Sequence, residues 1–244
     1  MNFKLIIEYD GSAYHGWQRQ KTDRTLQGEI ENALSTMTGQ KITLLGSGRT
    51  DAGVHALGQV ANFHCDTRLT AETFQKGLNG LLDDDIVIRD CQQADEDFHA
   101  RYDVKSKTYH YRILNRQIPT AIHRQYLWFI RRKLDIDAMR SAIPHLLGKH
   151  DFKAFEGTGS PRAHTIRCIS EAELVRHEDG YLTFEIEADG FLRFMVRNIV
   201  GTLADVGVGK IAPDDLPQIL LSRDRSRAGA TAPPQGLFLM NVRY

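Results

Sequence analysis

The sequence predicts an α+β protein in which one order of elements is used twice. Apolar residues recur at period two in some short segments and at helical spacing in others, and the two kinds alternate in the same order in each half. Residues 2–9 place Phe3, Leu5, Ile7 and Tyr9 on one face of a strand. Residues 26–37 carry Leu26, Ile30, Ala33, Leu34 and Met37 at helical spacing, with Gly39 as the stop. Strands are expected near 41–48 and 58–65, on either side of GRTDAGVH. A helix from about Thr70 turns Phe74, Leu78 and Leu81 inward, and DIVIRDC supplies the last strand of this half.

The second half repeats the pattern with insertions. On the strand at 104–114, Tyr109, Tyr111 and Ile113 share a face, with His110 and Arg112 opposite. A helix is expected at about 136–147, kinked or shortened by Pro144, because a proline inside a helix costs roughly 3 kcal/mol. TIRCISEAELV and YLTFEIEA read as strands, and a helix from near Phe191 buries Leu192, Met195, Ile199 and Leu203. After a short helix near 214–221, GLFLMNV closes the set. Two βαββαβ units suggest ferredoxin-like halves, 1–103 and 104–244. If they join into one mostly antiparallel sheet with helices on one face, the other face forms a cleft wide enough for RNA. Two unrelated α+β domains would show the same element order, and fold alone does not decide function.

Composition is that of an ordinary globular chain: 41% hydrophobic and 25% charged residues in 244. Lys4 and Glu8 interrupt the apolar start, so it is not read as a signal peptide, and no apolar run approaches the roughly 20 residues that span a bilayer. Cys65, Cys91 and Cys168 are scattered, which argues against a disulfide framework or a cysteine zinc site and for a reducing cytoplasm. Net charge is zero, yet the charges segregate. Residues 83–97 hold seven acids against Arg89 alone, and residues 101–133 hold nine Lys or Arg against Asp103 alone. The basic block can attract phosphate, or the two blocks can be solvated faces that partly neutralise each other.

The densest chemistry lies in Gly48-Arg49-Thr50-Asp51-Ala52-Gly53-Val54-His55. Were the segment extended, Arg49 and Asp51 would point to one side, and a guanidinium near a carboxylate keeps it ionised, as a nucleophile or base requires. Read without other context, Asp51 is a turn residue and Arg49 its surface partner. None of the ten histidines falls at a metal-binding spacing such as His-Glu-x-x-His, so they read as satisfied or surface residues and no metal is expected. Trp17 reads as core or as a platform for a base. Arg162, His164 and Arg167, in and after a loop-like stretch, and Arg223, Arg225 and Arg227 read either as phosphate ligands or as ordinary surface.

GRTDAGVHALGQVANF, preceded by EYDGSAYHGWQRQ and followed by DFHARY, SKTYHYRI, MVRNIVG and GLFL, closely resembles the tRNA pseudouridine synthase A family, in register over essentially the whole chain. The resemblance implies isomerisation of uridine to pseudouridine at positions 38, 39 and 40 of the tRNA anticodon stem-loop. It makes Asp51 the catalytic aspartate and Arg49 the residue that helps extrude the base. It also makes Tyr109 the ring stacked on the target uracil, Arg197 the aspartate's partner and Leu237 an active-site leucine. It further implies a homodimer in which one tRNA touches both subunits, and no metal or organic cofactor. The stretch 81–85, where many relatives have a proline, and Pro144 depart from the family pattern.

The chemistry agrees with these residue types. Breaking C1′–N1, turning the uracil and joining C5 to C1′ is redox-neutral. It needs a carboxylate to help N1 leave, a platform for the loosened base and a base for the C5 proton. Two routes stay open for Asp51, addition to the sugar or abstraction of a sugar proton. A target in a stem must also be unstacked, which costs a few kcal/mol that phosphate contacts offset. The rival reading is a tRNA-binding or tRNA-folding module with secondary or no catalysis, but such a module needs basic and aromatic groups and no special aspartate.

Overall fold

The computed structural model describes residues 1–159 and 164–244, which form two compact units. Unit 1 is Met1–Lys105 with Phe238–Tyr244, and unit 2 is Ser106–Leu237.

Unit 1 runs β1 (Asn2–Tyr9), α1 (Leu26–Thr38), β2 (Leu45–Gly46), β3 (His55–His64), α2 (Ala71–Leu81) and β4 (Ile86–Ala94). β1 lies between β4 and β3, antiparallel to both, with Phe3 opposite Phe63. The period-two residues of β1 are the floor of the core, with Phe3, Leu5, Ile7 and Tyr9 at most 3% exposed. Phe3 and Phe63 close on Phe74 of α2 with ring centroids 4.9 and 5.2 Å away. Gly39 ends α1 in the left-handed conformation, its N–H on the Ser35 carbonyl, and Thr70 caps α2 by accepting the Thr73 N–H.

The strand expected at 41–48 is reduced to two residues. The Leu44 N–H donates to the buried Glu31 carboxylate at 2.9 Å, and the Leu44 carbonyl accepts from Gln27 at 3.0 Å. Side chains of α1 take the hydrogen bonds that a strand neighbour would have taken. The 81–85 stretch is held within the unit: Tyr14 donates to Asp85 at 2.5 Å, Asp10 N–H donates to the Asp85 carbonyl, and Arg24 pairs with Asp83.

Unit 2 runs β5 (Ser106–Asn115), β6 (Trp128–Ile130), α3 (Ile136–Ala142), β7 (Gly148–Asp151), β8 (Ile166–Arg176), β9 (Tyr181–Ala188), α4 (Met195–Gly207) and α5 (Leu216–Ser222). Its strand order is β5-β9-β8-β7, all antiparallel, with β6 parallel to the end of β5. Tyr109, Tyr111 and Ile113 of β5 face inward opposite Ile186, Phe184 and Leu182 of β9. As expected, Pro144 shortens the helix. α3 stops at Ala142, and Pro144 falls in the first turn of a following 3-10 helix, where its missing N–H is not needed. α4 begins at Met195 rather than near Phe191, because Phe194 is left-handed at φ 61° and the Met195 N–H turns back to the Leu192 carbonyl. Leu192 is still buried, from the turn. The closing strand, β10 (Leu237–Arg243), pairs in parallel with β3 of unit 1, Phe238 opposite His55.

Candidate active site

In unit 1 the motif forms a loop between β2 and β3, held from beneath by buried polar groups. Ser47 donates its hydroxyl to Gln59 Oε1 at 2.6 Å, and Gln59 Nε2 donates to the Gly48 carbonyl at 3.0 Å. The Tyr9 and Thr50 hydroxyls are 2.8 Å apart, and Trp17 N–H donates to the Thr50 carbonyl at 3.0 Å. The Val54 N–H returns to the Asp51 carbonyl, closing a turn in which Gly53 adopts φ 76°. Asp51 is half-buried and Arg49 exposed. The segment is a loop between the two strands, so the extended geometry that would point Arg49 and Asp51 to one side is not adopted.

At the exit of the loop, His55 is buried and stacked on Phe238 at 4.8 Å, and Gly11 N–H donates to its Nδ1 at 3.1 Å. Trp17 is core, 2% exposed. A β-carbon at Gly46 would lie 2.6 Å from the Trp17 indole nitrogen, so the indole fills the space a side chain would need.

Unit 2 carries the other three residues singled out by the sequence. Tyr109 lies in β5, 7% exposed, with the Phe191 ring edge-on at 5.0 Å. Arg197 is in the first turn of α4, where its Nε donates to the Ala232 carbonyl at 2.7 Å and its guanidinium lies 4.9 Å from the Phe194 ring. Leu237 is buried where β10 begins. The next residue of α4, Asn198, is fully buried; its Oδ1 accepts from Arg225 at 2.9 Å and from Thr231 at 2.7 Å.

Of the arginines read as possible phosphate ligands, Arg225 is thus tied into the protein and Arg223 pairs with Asp151 at 2.5 Å, while Arg162 lies outside the described residues. The outward row of the sheet sets His110 opposite Glu185 and Glu185 opposite Glu173; the row beside it sets Glu187 opposite Glu171. Burial, with Arg112 nearby, holds the His110 imidazole below the ordinary histidine range despite Glu185 at 3.6 Å. Glu187 is buried and accepts from Ser106 and Thr108, but Glu171, Glu173 and Glu185 leave this face of unit 2 a poor floor for phosphate. Among the described residues no group of three or more His, Cys, Asp or Glu is arranged to hold a metal, and no helix is long and apolar enough to cross a membrane.

Sequence reasoning read Tyr9 only as a core residue of β1 and missed Ser47 and Gln59 as supports of the loop. A glutamine among the apolar residues of β3, 0% exposed, was the available signal, since a buried amide must find partners.

A family model described as tRNA pseudouridine synthase matches residues 5–103 and 142–244. The chain is 51% identical to a tRNA pseudouridine synthase A of Acetivibrio thermocellus, over 100% of this chain and 99% of that one. It is 47% identical to one from a Thermoanaerobacter species and 45% identical to one from Caldicellulosiruptor bescii, each with the same coverage. These matches define an RNA-modifying isomerase. The chain belongs to the tRNA pseudouridine synthase family, whose reaction is the isomerisation of uridine to pseudouridine in tRNA.

Proposed function

We propose that the chain isomerises uridine at positions 38, 39 and 40 of the tRNA anticodon stem-loop, and that the Asp51 carboxylate starts the reaction once the base is turned out of the stem. One observation carries this reading: the only carboxylate of the GRTDAGVH block stands in a loop that is not part of a strand but is fixed by buried hydrogen bonds on its Thr50 side. Such rigidity suits a group that must meet one atom of a sugar.

In the proposed sequence the C1′–N1 bond breaks and N1 leaves with the bonding electrons. Asp51 either adds to C1′ or takes the 2′ proton. The uracil rotates and C5 bonds to C1′ as the Asp51–C1′ bond breaks or, on the other route, as Asp51 returns the proton to C2′. The C5 proton is lost and N1 gains one, so atoms and electrons balance with no co-reactant. Tyr109 is proposed as the ring against which the loosened uracil stacks, and its hydroxyl as a candidate acceptor of the C5 proton. Arg49, exposed and at the same loop, is proposed to assist extrusion of the base. Arg197 and Leu237 are carried as site residues on the family's pattern. We further propose a cytoplasmic homodimer that holds one tRNA across both subunits and uses no metal or organic cofactor.

The test is single-turnover pseudouridine mapping on unmodified tRNA. Asp51→Asn is expected to abolish isomerisation while tRNA affinity changes little, and substantial turnover by that variant would overturn the aspartate's role. Product at uridines other than 38–40 would overturn the site assignment. Full activity of a dilute monomer would remove the second subunit. A large, metal-reversible loss on adding chelator would show a metal requirement.

A further inference from the structure

The EYDGSAYHGWQRQ segment has no part in the chemistry above, yet it supplies much of what holds the catalytic loop. An aspartate outside any strand or helix is positioned by its neighbours' backbone, and the neighbour before Asp51 is held at two points. The Thr50 hydroxyl meets that of Tyr9 at 2.8 Å, and the Thr50 carbonyl accepts the Trp17 N–H at 3.0 Å. Gly16 lies against the same backbone: a β-carbon there would be 2.8 Å from the Thr50 oxygen and 3.2 Å from the Asp51 carbonyl carbon. Tyr9 closes β1, is 3% exposed, and packs its ring on Trp17 at 6.0 Å. Burial holds its phenol well above the ordinary tyrosine range, so it remains a neutral O–H.

We propose that Tyr9 is a positioning residue for the isomerisation, setting the Asp51 carboxylate through the hydroxyl of Thr50. This rests on the reading of Asp51 as the initiating group. A misplacement of about 1 Å in a reacting group costs on the order of 100-fold in rate, and one lost hydrogen bond permits a fraction of that movement. Tyr9 is too buried to touch RNA. Its hydroxyl therefore acts on the chemical step and not on tRNA binding.

The experiment compares Tyr9→Phe, Thr50→Val, Thr50→Ser and the Tyr9→Phe/Thr50→Val double variant on unmodified tRNA, with turnover followed over a range of substrate concentrations so that kcat and KM are read separately. Tyr9→Phe and Thr50→Val are each expected to lower kcat roughly ten-fold, a fraction of the full misplacement cost, with KM unchanged. Tyr9→Phe also loses the contact of its hydroxyl with Gln59, so the double variant should be no slower than Tyr9→Phe alone, and Thr50→Ser should stay near wild type. An unchanged kcat in Tyr9→Phe, a loss carried in KM, or additive losses in the double would overturn the proposal. If Tyr9→Phe fails to fold, the Thr50 pair decides: a loss in Val spared in Ser supports it, and equal rates overturn it. Asp51→Asn run alongside separates the two failures. Turnover by that variant defeats the aspartate reading, whereas an inert Asp51→Asn beside a normal Tyr9→Phe defeats only the role of Tyr9.

Discussion

The carbonyl oxygen of Ala230 occupies the space that a side chain at Gly201 of α4 would fill, so that a β-carbon there would lie 1.6 Å from it. Gly229 makes the reciprocal approach, a β-carbon there falling 2.7 Å from the Thr202 Cα, and its N–H donates to the Thr202 hydroxyl at 2.9 Å. This close seat brings Ala232 to Arg197: the Ala232 N–H donates to the Arg197 carbonyl at 3.1 Å, and Arg197 Nε donates to the Ala232 carbonyl. The glycine of MVRNIVG thus serves the arginine of the same block.

Gly201→Ala should accordingly destabilise the protein by about 1–3 kcal/mol or more, because the 229–232 segment must lift off α4. Gly80→Ala is the opposed control. Gly80 lies exposed in α2, where a β-carbon would meet nothing within 4 Å, and alanine there should stabilise by about 0.5–1 kcal/mol. Denaturant midpoints of the two variants check both signs, and a neutral Gly201→Ala would show that the segment shifts without cost.

The thiols should react in an order set by burial. Cys91 is buried beside Asp90, and burial with that negative charge pushes its thiol up to about 12. At about pH 8 only about one molecule in 10,000 then carries the thiolate. Burial, with Asp66 nearby, also raises Cys65, whereas Cys168 is half-exposed. Alkylation of the native protein followed by peptide mapping should find Cys168 labelled first and Cys91 last, with all three labelled once the chain is unfolded. Equal rates at Cys91 and Cys168 in the folded protein would contradict this.

Asp151 predicts part of the acid limb of stability. Burial alone would raise its carboxyl, but the Thr165 hydroxyl, the Lys153 N–H and the Arg223 guanidinium together hold it below the ordinary carboxylate range. With the folded value depressed, its contribution is complete above the unfolded value of about 3.9 and is lost as pH falls through the folded value. The pair with Arg223 is open to solvent, so the contribution is at most about 1 kcal/mol. Asp151→Asn should lower Tm near neutral pH, and the gap to wild type should close as pH falls below about 3.9. A gap that stays constant through that range would exclude ionisation as its source.

Periodicity carried much of the fold because the core of each unit is built by the residues that show it: Phe3, Leu5 and Ile7 on β1, Phe74 and Leu78 on α2, Phe184 and Ile186 on β9. It failed where a distant side chain overrode the local pattern, as Glu31 does at Leu44, and where a residue other than glycine turned left-handed, as Phe194 does before α4. Asp51 stood out only through its motif, since an Asp-Ala-Gly by itself is an ordinary turn. The hydrogen bonds beneath it join residues 12 and 41 positions apart, Ser47 to Gln59 and Tyr9 to Thr50, and no periodic pattern announces such pairs.

Phosphate contact by the basic block gives the last prediction. Arg131, Arg132 and Lys133 are consecutive and exposed. Arg132 is partly committed, since its guanidinium donates to the Val208 carbonyl at 3.0 Å and Asn115 donates to its own carbonyl at 2.7 Å. Among the acids of 83–97, Asp83 pairs with Arg24 and Glu96 with the N-terminal amine, both inside unit 1. If Arg131 and Lys133 each neutralise one phosphate, log affinity against log salt should lose roughly 1.4–1.8 of its slope when Arg131, Arg132 and Lys133 are replaced together by Gln. KM should rise while the single-turnover rate at saturation stays near wild type, because none of the three is proposed to touch the reacting base. Lys76→Gln is the matched control, an equally exposed lysine that is paired with Glu72 at 2.6 Å and should leave the slope unchanged. An unaltered slope in the triple variant, with normal folding, would take this block out of the RNA interface.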